Sequence, residues 1–207
     1  MNRPKYIWPF HTRFGWIAIA GNDRQVSLCT LGHPSREAAL RRCSKVVEID
    51  LVVRDWNPRA RRQLSDYAAG KLVSFDDIAL DLEGVPDFHR AVLEACRAIP
   101  YGATLSYAKL AAAAGRPRAV RAAGTAMARN RLPILIPCHR VVRSDGGLGG
   151  YSCPQGVGLK RRLLAMEAVG VKLDGINQRH TCIDSRSIAA KAREIRIHHS
   201  TCLMVSC

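Results

Sequence analysis

The sequence has few acidic residues and no long apolar segment. Lysine and arginine number 32 against 17 aspartates and glutamates, so the formal net charge is +15. Such a basic surface attracts phosphates, or an anionic membrane where an amphipathic anchor is also present. No segment is apolar enough to span a bilayer, and the N-terminus lacks an apolar core of signal-peptide length. We therefore expect a protein of the cytoplasm, or of the nucleus in a eukaryotic cell.

A disulfide framework is also missing. The eight cysteines are scattered along the chain and form no Cys-x-x-Cys pair. Without a secretion signal, most of them are expected to be free thiols. The ordinary role of each is that of a small buried apolar residue.

Residues 1–83 predict a small α/β domain. β-Formers on both sides of a Gly-Asn-Asp turn predict a hairpin within residues 13–31. A helix is expected between Asn57, which is a good cap, and Gly70, which is a stop signal. Two further strands are expected at Val46–Val53 and Leu72–Leu82, followed by a linker at Gly84–Pro86.

The rest of the chain predicts helices. Four are expected, at Asp87–Ile99, Ser106–Ala114, Arg118–Arg129 and Gly156–Val169, the last of them ended by Gly170. Residues 87–170 are therefore interpreted as a second, mostly helical domain. Residues 171–207 are basic and lack a strong period, so they are interpreted as a poorly ordered extension with a short helix near residues 186–196.

Two of these helices have features that predict nucleic-acid binding. Ser106–Ala114 and Arg118–Arg129 are joined by a glycine-containing turn, which is typical of a helix-turn-helix. Helical spacing predicts an inward face made of Val120, Ala123, Gly124 and Met127. The opposite face is the predicted DNA contact and consists of Arg118, Arg121, Ala122, Thr125 and Arg129. A solvated basic helix is the alternative, but Arg116–Arg143 holds seven arginines and no acidic residue, which favours nucleic acid.

One cysteine stands out by its neighbours. Cys138 follows an apolar run that predicts a strand over Ile134–Val142. In an extended segment His139 would point away from the sulfur, so a water is expected between them. A histidine that acts as a base needs a partner, and Glu167 on the apolar stripe of the last helix is a candidate. A buried Glu–Arg salt bridge is an equally good explanation of Glu167.

The motifs around Cys138 resemble those of a known family. They include Ile99-Pro-Tyr-Gly102, Arg121-Ala-Ala-Gly124, Pro137-Cys-His-Arg140 and Gly149-Gly-Tyr-Ser152. Over residues 86–170 the chain resembles the O6-alkylguanine-DNA alkyltransferases, also called methylated-DNA–protein-cysteine methyltransferases. Residues 1–83 are similar to that family's ribonuclease-H-like N-terminal domain only in general character. The resemblance implies an α/β (α+β) protein with a helix-turn-helix domain.

The resemblance also implies the activity. Cys138 would irreversibly accept the alkyl group of O6-alkylguanine, or of O4-alkylthymine, in a single turnover. The partner would be double-stranded DNA with the damaged base flipped out, and the protein would act as a monomer without metal or cofactor. His11, Cys29, His33 and His89 do not match the zinc pattern that some members carry.

Each matched position has an implied role. His139, through a water, and Glu167 would deprotonate Cys138. Asn130 would act as a hinge, and Arg121 would fill the stack left by the base. The pocket residues would be Tyr107 as the donor to guanine N3, Ser152 at the O6 edge, the carbonyls of Cys138 and Val141 for the exocyclic amine, and Tyr151 in the wall.

The sequence departs from the family pattern at two places. Arg131 stands where the family usually has proline, and Cys153-Pro154 stands where Gly-Gly is usual, so Cys153 would be strained if that loop needs positive φ.

Three alternative functions were compared with the sequence. A lesion sensor of the alkyltransferase-like kind would lack the acceptor cysteine. A helix-turn-helix regulator without chemistry would not need Tyr107, Ser152 and Glu167 together with Pro137-Cys-His-Arg140. A Cys–His hydrolase would need a dyad that adjacent residues do not easily form.

Overall fold

The first part of the chain is a sheet covered by helices. A computed structural model describes residues 4–47, 51–173 and 184–204. Strands β1, β2 and β3 form an antiparallel meander, and the short β4 pairs parallel to β1, so the sheet order is β3-β2-β1-β4. The elements are β1 (Tyr6–Thr12), β2 (Gly15–Gly21), β3 (Val26–His33), α1 (Arg36–Val47), β4 (Val52–Val53) and α2 (Pro58–Ala68).

The second part is mostly helical. Its helices are α3 (Asp87–Arg97), α4 (Tyr107–Ala113), α5 (Val120–Ala128), α6 (Gly156–Leu173) and α7 (Ser185–Met204). A two-stranded parallel pair, β5 (Leu105–Ser106) and β6 (Val141–Val142), joins the start of α4 to the cysteine segment. Among the described residues, no helix has the length and hydropathy needed to cross a bilayer.

Several predicted elements are confirmed. The hairpin of residues 13–31 is β2–β3, and Asn22 caps its turn by accepting from the backbone N–H groups of Arg24 and Gln25. The Asn57 side chain accepts from the Ala60 N–H at the start of α2, and Ser106 accepts from the Lys109 N–H at the start of α4. The mixed α/β class with a helix-turn-helix, α4 and α5, is confirmed. The ribonuclease-H-like detail stays a prediction.

The strand predictions after residue 45 are largely wrong. Val46 lies in α1, because Ala39 and Cys43 give this segment a helical apolar face that packs on the sheet. Only Val52–Val53 of the predicted Val46–Val53 strand is extended, and residues 48–50 lie outside the described part. The predicted strand Leu72–Leu82 is a loop with one isolated bridge. Arg97 explains this, because its Nη2 atom donates to two carbonyls of this loop, Phe75 O and Ile78 O, at 2.7 Å each.

Two predictions about the end of the chain also need correction. Gly170 does not end α6, which continues to Leu173. A Cβ at Gly170 would lie 2.8 Å from the Tyr101 hydroxyl, so glycine is there to allow close packing. The short helix expected near residues 186–196 is present but longer, since α7 spans Ser185–Met204; it packs against α3 and α4 with Ile188 and Ala192 buried, so this part of the extension is ordered. Residues 174–183 and 205–207 of that extension lie outside the described part.

The two parts share one hydrophobic core. Buried residues from the sheet, from α2 and from α3 to α7 belong to the same cluster, which spans Phe14 to Ala192. Polar contacts reinforce it, because Gln155 Nε2 donates to Phe14 O at 2.8 Å and to Gly32 O at 3.1 Å. The Cys29 N–H donates to Arg131 O at 2.8 Å, so β3 is joined to the residue that follows Asn130.

Candidate active site

Cys138 opens a single turn of 3-10 helix at the centre of the shared core. The turn spans Cys138–Arg140, so the predicted strand over Ile134–Val142 is wrong apart from its last two residues in β6. Ile134 adopts a left-handed φ of 72°, and the backbone doubles back there before the turn. Successive side chains of such a turn diverge by about 120°. Cys138 and His139 therefore do not point to opposite faces, and both are buried.

The Cys138 sulfur is a buried thiol between polar neighbours. Burial raises the pKa of the thiol, while a hydrogen bond from Asn130 and the charge of Lys160 act to lower it. Asn130 is held in place because its Nδ2 donates to Ile136 O at 2.9 Å and its Oδ1 accepts from the Leu132 N–H at 3.0 Å. The structure thus places Asn130 between the end of α5 and the cysteine, where the hinge was expected.

His139 is a buried imidazole that is held in one orientation by hydrogen bonds. Its Nε2 lies 2.8 Å from Glu167 Oε1 and 3.1 Å from the Tyr67 hydroxyl. Because an ionised carboxylate only accepts, Nε2 carries the proton and Nδ1 keeps its lone pair. Burial lowers the pKa of His139, and Nδ1 is buried with no hydrogen-bond partner in the described part of the chain. This is the state that a general base requires.

Glu167 has both of the roles that its sequence position left open. Besides His139, it binds Arg140 in a bidentate pair, with Arg140 Nη2 2.9 Å from Oε1 and Nε 3.0 Å from Oε2. The Gly102 N–H donates to Oε2 at 3.0 Å and the Tyr67 hydroxyl donates to Oε1 at 2.6 Å. Burial opposes the charge, but hydrogen bonds from His139 and Arg140 and the Arg140 charge hold the pKa of Glu167 well below its usual range.

Three buried polar residues of this site are missing from the sequence prediction. Tyr67 reaches the site from α2 in the first part of the chain, and Arg140 also donates to Ile99 O at 2.6 Å. Lys160 is fully buried and donates through Nζ to Val141 O at 2.6 Å. Lys160 had a detectable signal, because it lies seven residues before Glu167 on the same apolar stripe of α6.

Two of the predicted pocket residues pack against the core cluster that contains Cys138. These are the partly buried Tyr107 and Tyr151, and burial raises the pKa of both hydroxyls. The Tyr151 hydroxyl is buried without a hydrogen-bond partner in the described residues. Ser152 is exposed at the rim, where its hydroxyl donates to Ala128 O at 3.0 Å. Cys153 has no left-handed φ, so it introduces no backbone strain.

Helix α5 has the predicted buried and exposed faces, except that Ala126 takes the place of Gly124 on the buried face. Ala123 and Met127 are buried, but the third buried residue is Ala126, and a Cβ at Gly124 would meet open space. Arg118, Arg121, Thr125 and Arg129 are exposed, and Ala122 is partly exposed. Arg140 is buried against Glu167, so it does not belong to the basic surface that the run of seven arginines suggested.

The described residues around the cysteine were also compared with the requirements of a metal site. Within the described ranges, no three His, Cys, Asp or Glu side chains come together as a metal site would require. Cys29, Cys43, Cys96, Cys138 and Cys153 are free thiols.

Fold and site together define a helix-turn-helix protein with a buried free cysteine beside a histidine–glutamate pair. Residues 87–169 match the family model described as 6-O-methylguanine DNA methyltransferase, DNA binding domain. The methylated-DNA–protein-cysteine methyltransferase of Methanothermobacter thermautotrophicus is 46% identical over 122 residues. This match covers 57% of the chain and 66%, just under two thirds, of that relative's length.

Solved structures extend the likeness to most of the chain. The crystal structure of Mycobacterium tuberculosis O6-methylguanine methyltransferase superposes with a TM-score of 0.66 at 32% identity, covering 79% of this chain and 93% of that one. A Mycobacterium tuberculosis structure described as OGT in complex with DNA gives a TM-score of 0.67 at 32% identity, covering 80% and 94%. The chain belongs to the methylated-DNA–protein-cysteine methyltransferase family.

Proposed function

We propose that this protein repairs DNA by direct reversal, taking the alkyl group of O6-alkylguanine onto its own Cys138. The observation that carries the proposal is a buried thiol next to a neutral histidine whose Nδ1 has no partner in the described structure and whose Nε2 is held by Glu167. Family membership and a DNA complex of a relative support the substrate.

The transfer is a single displacement. His139 Nδ1 removes the Cys138 proton through a water, and the resulting thiolate is a far better nucleophile than the thiol. The sulfur forms a bond to the alkyl carbon as the bond from that carbon to O6 breaks. The electron pair passes to the guanine, whose N3 accepts a hydrogen bond from the Tyr107 hydroxyl, and the proton that His139 took from Cys138 returns to the released guanine, so His139 ends neutral. The product on Cys138 is a thioether, so one molecule repairs one lesion, and O4-alkylthymine would react by the same displacement.

Access to the base requires extrusion from the duplex, since the thiol lies in the core. Arg121 projects from the exposed face of α5 and would fill the gap in the stack, while Arg118, Ala122, Thr125 and Arg129 follow the backbone. Ser152, Tyr151 and the Val141 carbonyl would bind the flipped guanine. The protein would do this as a cytoplasmic monomer, or in the nucleus of a eukaryotic cell.

Intact-protein mass spectrometry tests the proposal. Incubation with duplex DNA that contains O6-methylguanine should add one methyl group, and peptide mapping should locate it on Cys138. Cys138→Ala should gain no mass, whereas Cys153→Ala, which removes the neighbouring thiol, should still gain it. Binding of the lesion without any gain of mass would instead identify a sensor, and repeated turnover would exclude the irreversible mechanism.

A further inference from the structure

A second basic surface lies outside the helix-turn-helix. A groove of about 940 Å³ runs between the sheet, helix α1 and the C-terminal end of α5. Its lining contains four cationic side chains and no acidic one, and they come from both parts of the chain: Arg42, Lys45, Arg129 and Arg131. His33 also lines it, but burial and the neighbouring Arg42 lower the pKa of His33, so it is not counted as a charge. A concave surface of one sign focuses its potential, so this groove attracts anions.

The cations of the groove are available for a partner. Arg42, Lys45, Arg129 and Arg131 are exposed, and none of them pairs with a carboxylate in the described part of the chain. Surface arginines elsewhere do pair, as Arg143 does with Asp145.

The groove shares residues with the candidate active site. Asn130, whose side chain hydrogen bonds Cys138, lines it together with Ser152, Cys153 and Pro154. Ala128 and Arg129, at the end of α5, line it as well. A strand that passes the pocket would therefore continue from the recognition helix into the groove and onto α1.

We infer that this groove holds phosphates of the lesion-bearing DNA strand, next to the extruded nucleotide, and that α1 of the sheet domain is part of the DNA interface. The inference rests on the proposed function. Small-molecule pockets are mostly apolar with a few convergent polar groups. Cations spread along an open groove instead suit a nucleic-acid backbone.

Helix α1 provides a matched control. Arg42 and Lys45 line the groove, whereas Arg36 and Arg41 are exposed on the same helix and do not line it. The double variants Arg42→Gln/Lys45→Gln and Arg36→Gln/Arg41→Gln lose the same charge. Glutamine keeps nearly the helix propensity of both replaced residues.

The test is the salt dependence of binding to a duplex that contains O6-methylguanine, with Cys138→Ser in every protein to prevent transfer. When the logarithm of the binding constant is plotted against the logarithm of the salt concentration, each lost phosphate contact makes the negative slope shallower by about 0.9. The groove double variant should therefore lose about 1.8 from the slope and bind roughly tenfold or more weakly at low salt, while the control variant keeps the parental slope. Equal losses in both variants, or no loss in the groove variant, would overturn the inference.

Two further measurements separate this inference from the proposed function. With Cys138 restored, the groove variant should react with free O6-benzylguanine at the parental rate, because the free base has no backbone. The lesion strand can also be shortened on one side of the lesion or on the other. One of these two truncations should remove the phosphates that the groove holds, and the groove variant and the control variant should then bind DNA equally well. If neither truncation does so, the groove does not hold that strand. A parental protein that binds the duplex but never gains a methyl group would refute the proposed function alone.

Discussion

Among single residues, Glu167 joins stability to the proposed chemistry. One of its oxygens accepts from His139 and Tyr67, while Arg140 binds both oxygens and the Gly102 N–H binds the second. A buried carboxylate is unfavourable unless such partners surround it. Since the same carboxylate orients His139, a change here affects both folding and transfer, and the two effects need separate measurements.

Glu167→Gln should lower the free energy of unfolding at pH 7 by about 3–5 kcal/mol, because Arg140 would remain as a buried charge without its partner. The folded-state pKa of Glu167 is depressed, so its contribution is present above the ordinary carboxyl pKa of about 4.3 and is lost as the pH falls below it. The difference between parent and variant in urea unfolding should thus shrink between pH 6 and pH 3. Equal stabilities at pH 7 would contradict this account.

Tyr67→Phe should change the pH dependence of transfer. The Tyr67 hydroxyl donates to Glu167 at 2.6 Å, and its loss leaves a stronger negative charge beside His139, which raises the His139 pKa. Because His139 must be neutral to act as a base, the acid limb of the rate should move to higher pH by about one unit. Single-turnover rates with free O6-benzylguanine between pH 5 and 9 give the measurement.

Tyr101→Phe is the control for that experiment. The Tyr101 ring packs edge-on against Tyr67, and its hydroxyl donates to Gly70 O at 3.5 Å. Its acid limb should coincide with that of the parent. A Tyr67→Phe profile that also coincides with the parent would show that Tyr67 has only a packing role.

The site was predictable where chemistry and sequence are close together. Cys138 and His139 are adjacent, and Glu167 stands out as a charge on an apolar stripe. Tyr67 lies 72 residues before His139 and belongs to a helix whose pattern only shows that Tyr67 is buried. No local rule connects the two residues, because their contact depends on how the sheet domain packs against α6.

At the scale of elements, α5 presents Arg121 to the solvent with a small residue, Ala122, beside it. Arg121→Ala should slow repair of duplex DNA severely and reaction with free O6-benzylguanine much less, because the free base needs no extrusion. Arg118→Ala, a neighbouring exposed arginine, should weaken duplex binding in a way that low salt restores. The measurement is the rate of alkyl transfer at saturating protein, with duplex DNA and with the free base. If Arg121→Ala lowers both rates equally, Arg121 supports the fold or the pocket and does not hold the base out of the duplex.

Two glycines of helix α6, Gly158 and Gly170, should respond to alanine substitution with opposite changes in the free energy of unfolding. Gly170→Ala would bring a Cβ to 2.8 Å from the Tyr101 hydroxyl and should cost about 1–3 kcal/mol through overpacking. At Gly158 the added Cβ meets open space, so Gly158→Ala should stabilise by about 0.5–1 kcal/mol. Urea unfolding of both variants measures the contrast, and the same sign for both would refute the packing explanation of Gly170.

Elements with their own caps were predictable, and elements decided by distant partners were not. Asn57 and Ser106 satisfy the first N–H groups of α2 and α4 within one turn, so sequence alone identifies these starts. Residues 72–82 contain enough apolar residues for a strand, yet Arg97 donates to three of their carbonyls and fixes a loop. The run before Cys138 is apolar because it is buried, and its left-handed turn at Ile134 has no local glycine signal.

At the scale of the whole molecule, excess positive charge and buried charge are spatially separated. The net charge of +15 resides mainly on exposed lysines and arginines, whereas Arg140 and Lys160 are buried beside the cysteine with Glu167 and a backbone carbonyl as partners. The outer charges suit long-range attraction of DNA. The inner ones hold the geometry around the thiol and do not respond to bulk salt in the same way, because buried pairs are screened less.

The shared core predicts that the two parts of the chain unfold together, which fluorescence and thiol labelling can follow. All three tryptophans, Trp8, Trp16 and Trp56, precede the linker, so intrinsic fluorescence reports on the sheet domain. Labelling of the Cys138 thiol by a maleimide reports on the helical part. Because a single cluster of side chains spans both parts, neither should melt without the other, and the two signals should change at one denaturant concentration. Two separate midpoints would mean that the halves are independent folding units joined at Gly84–Pro86.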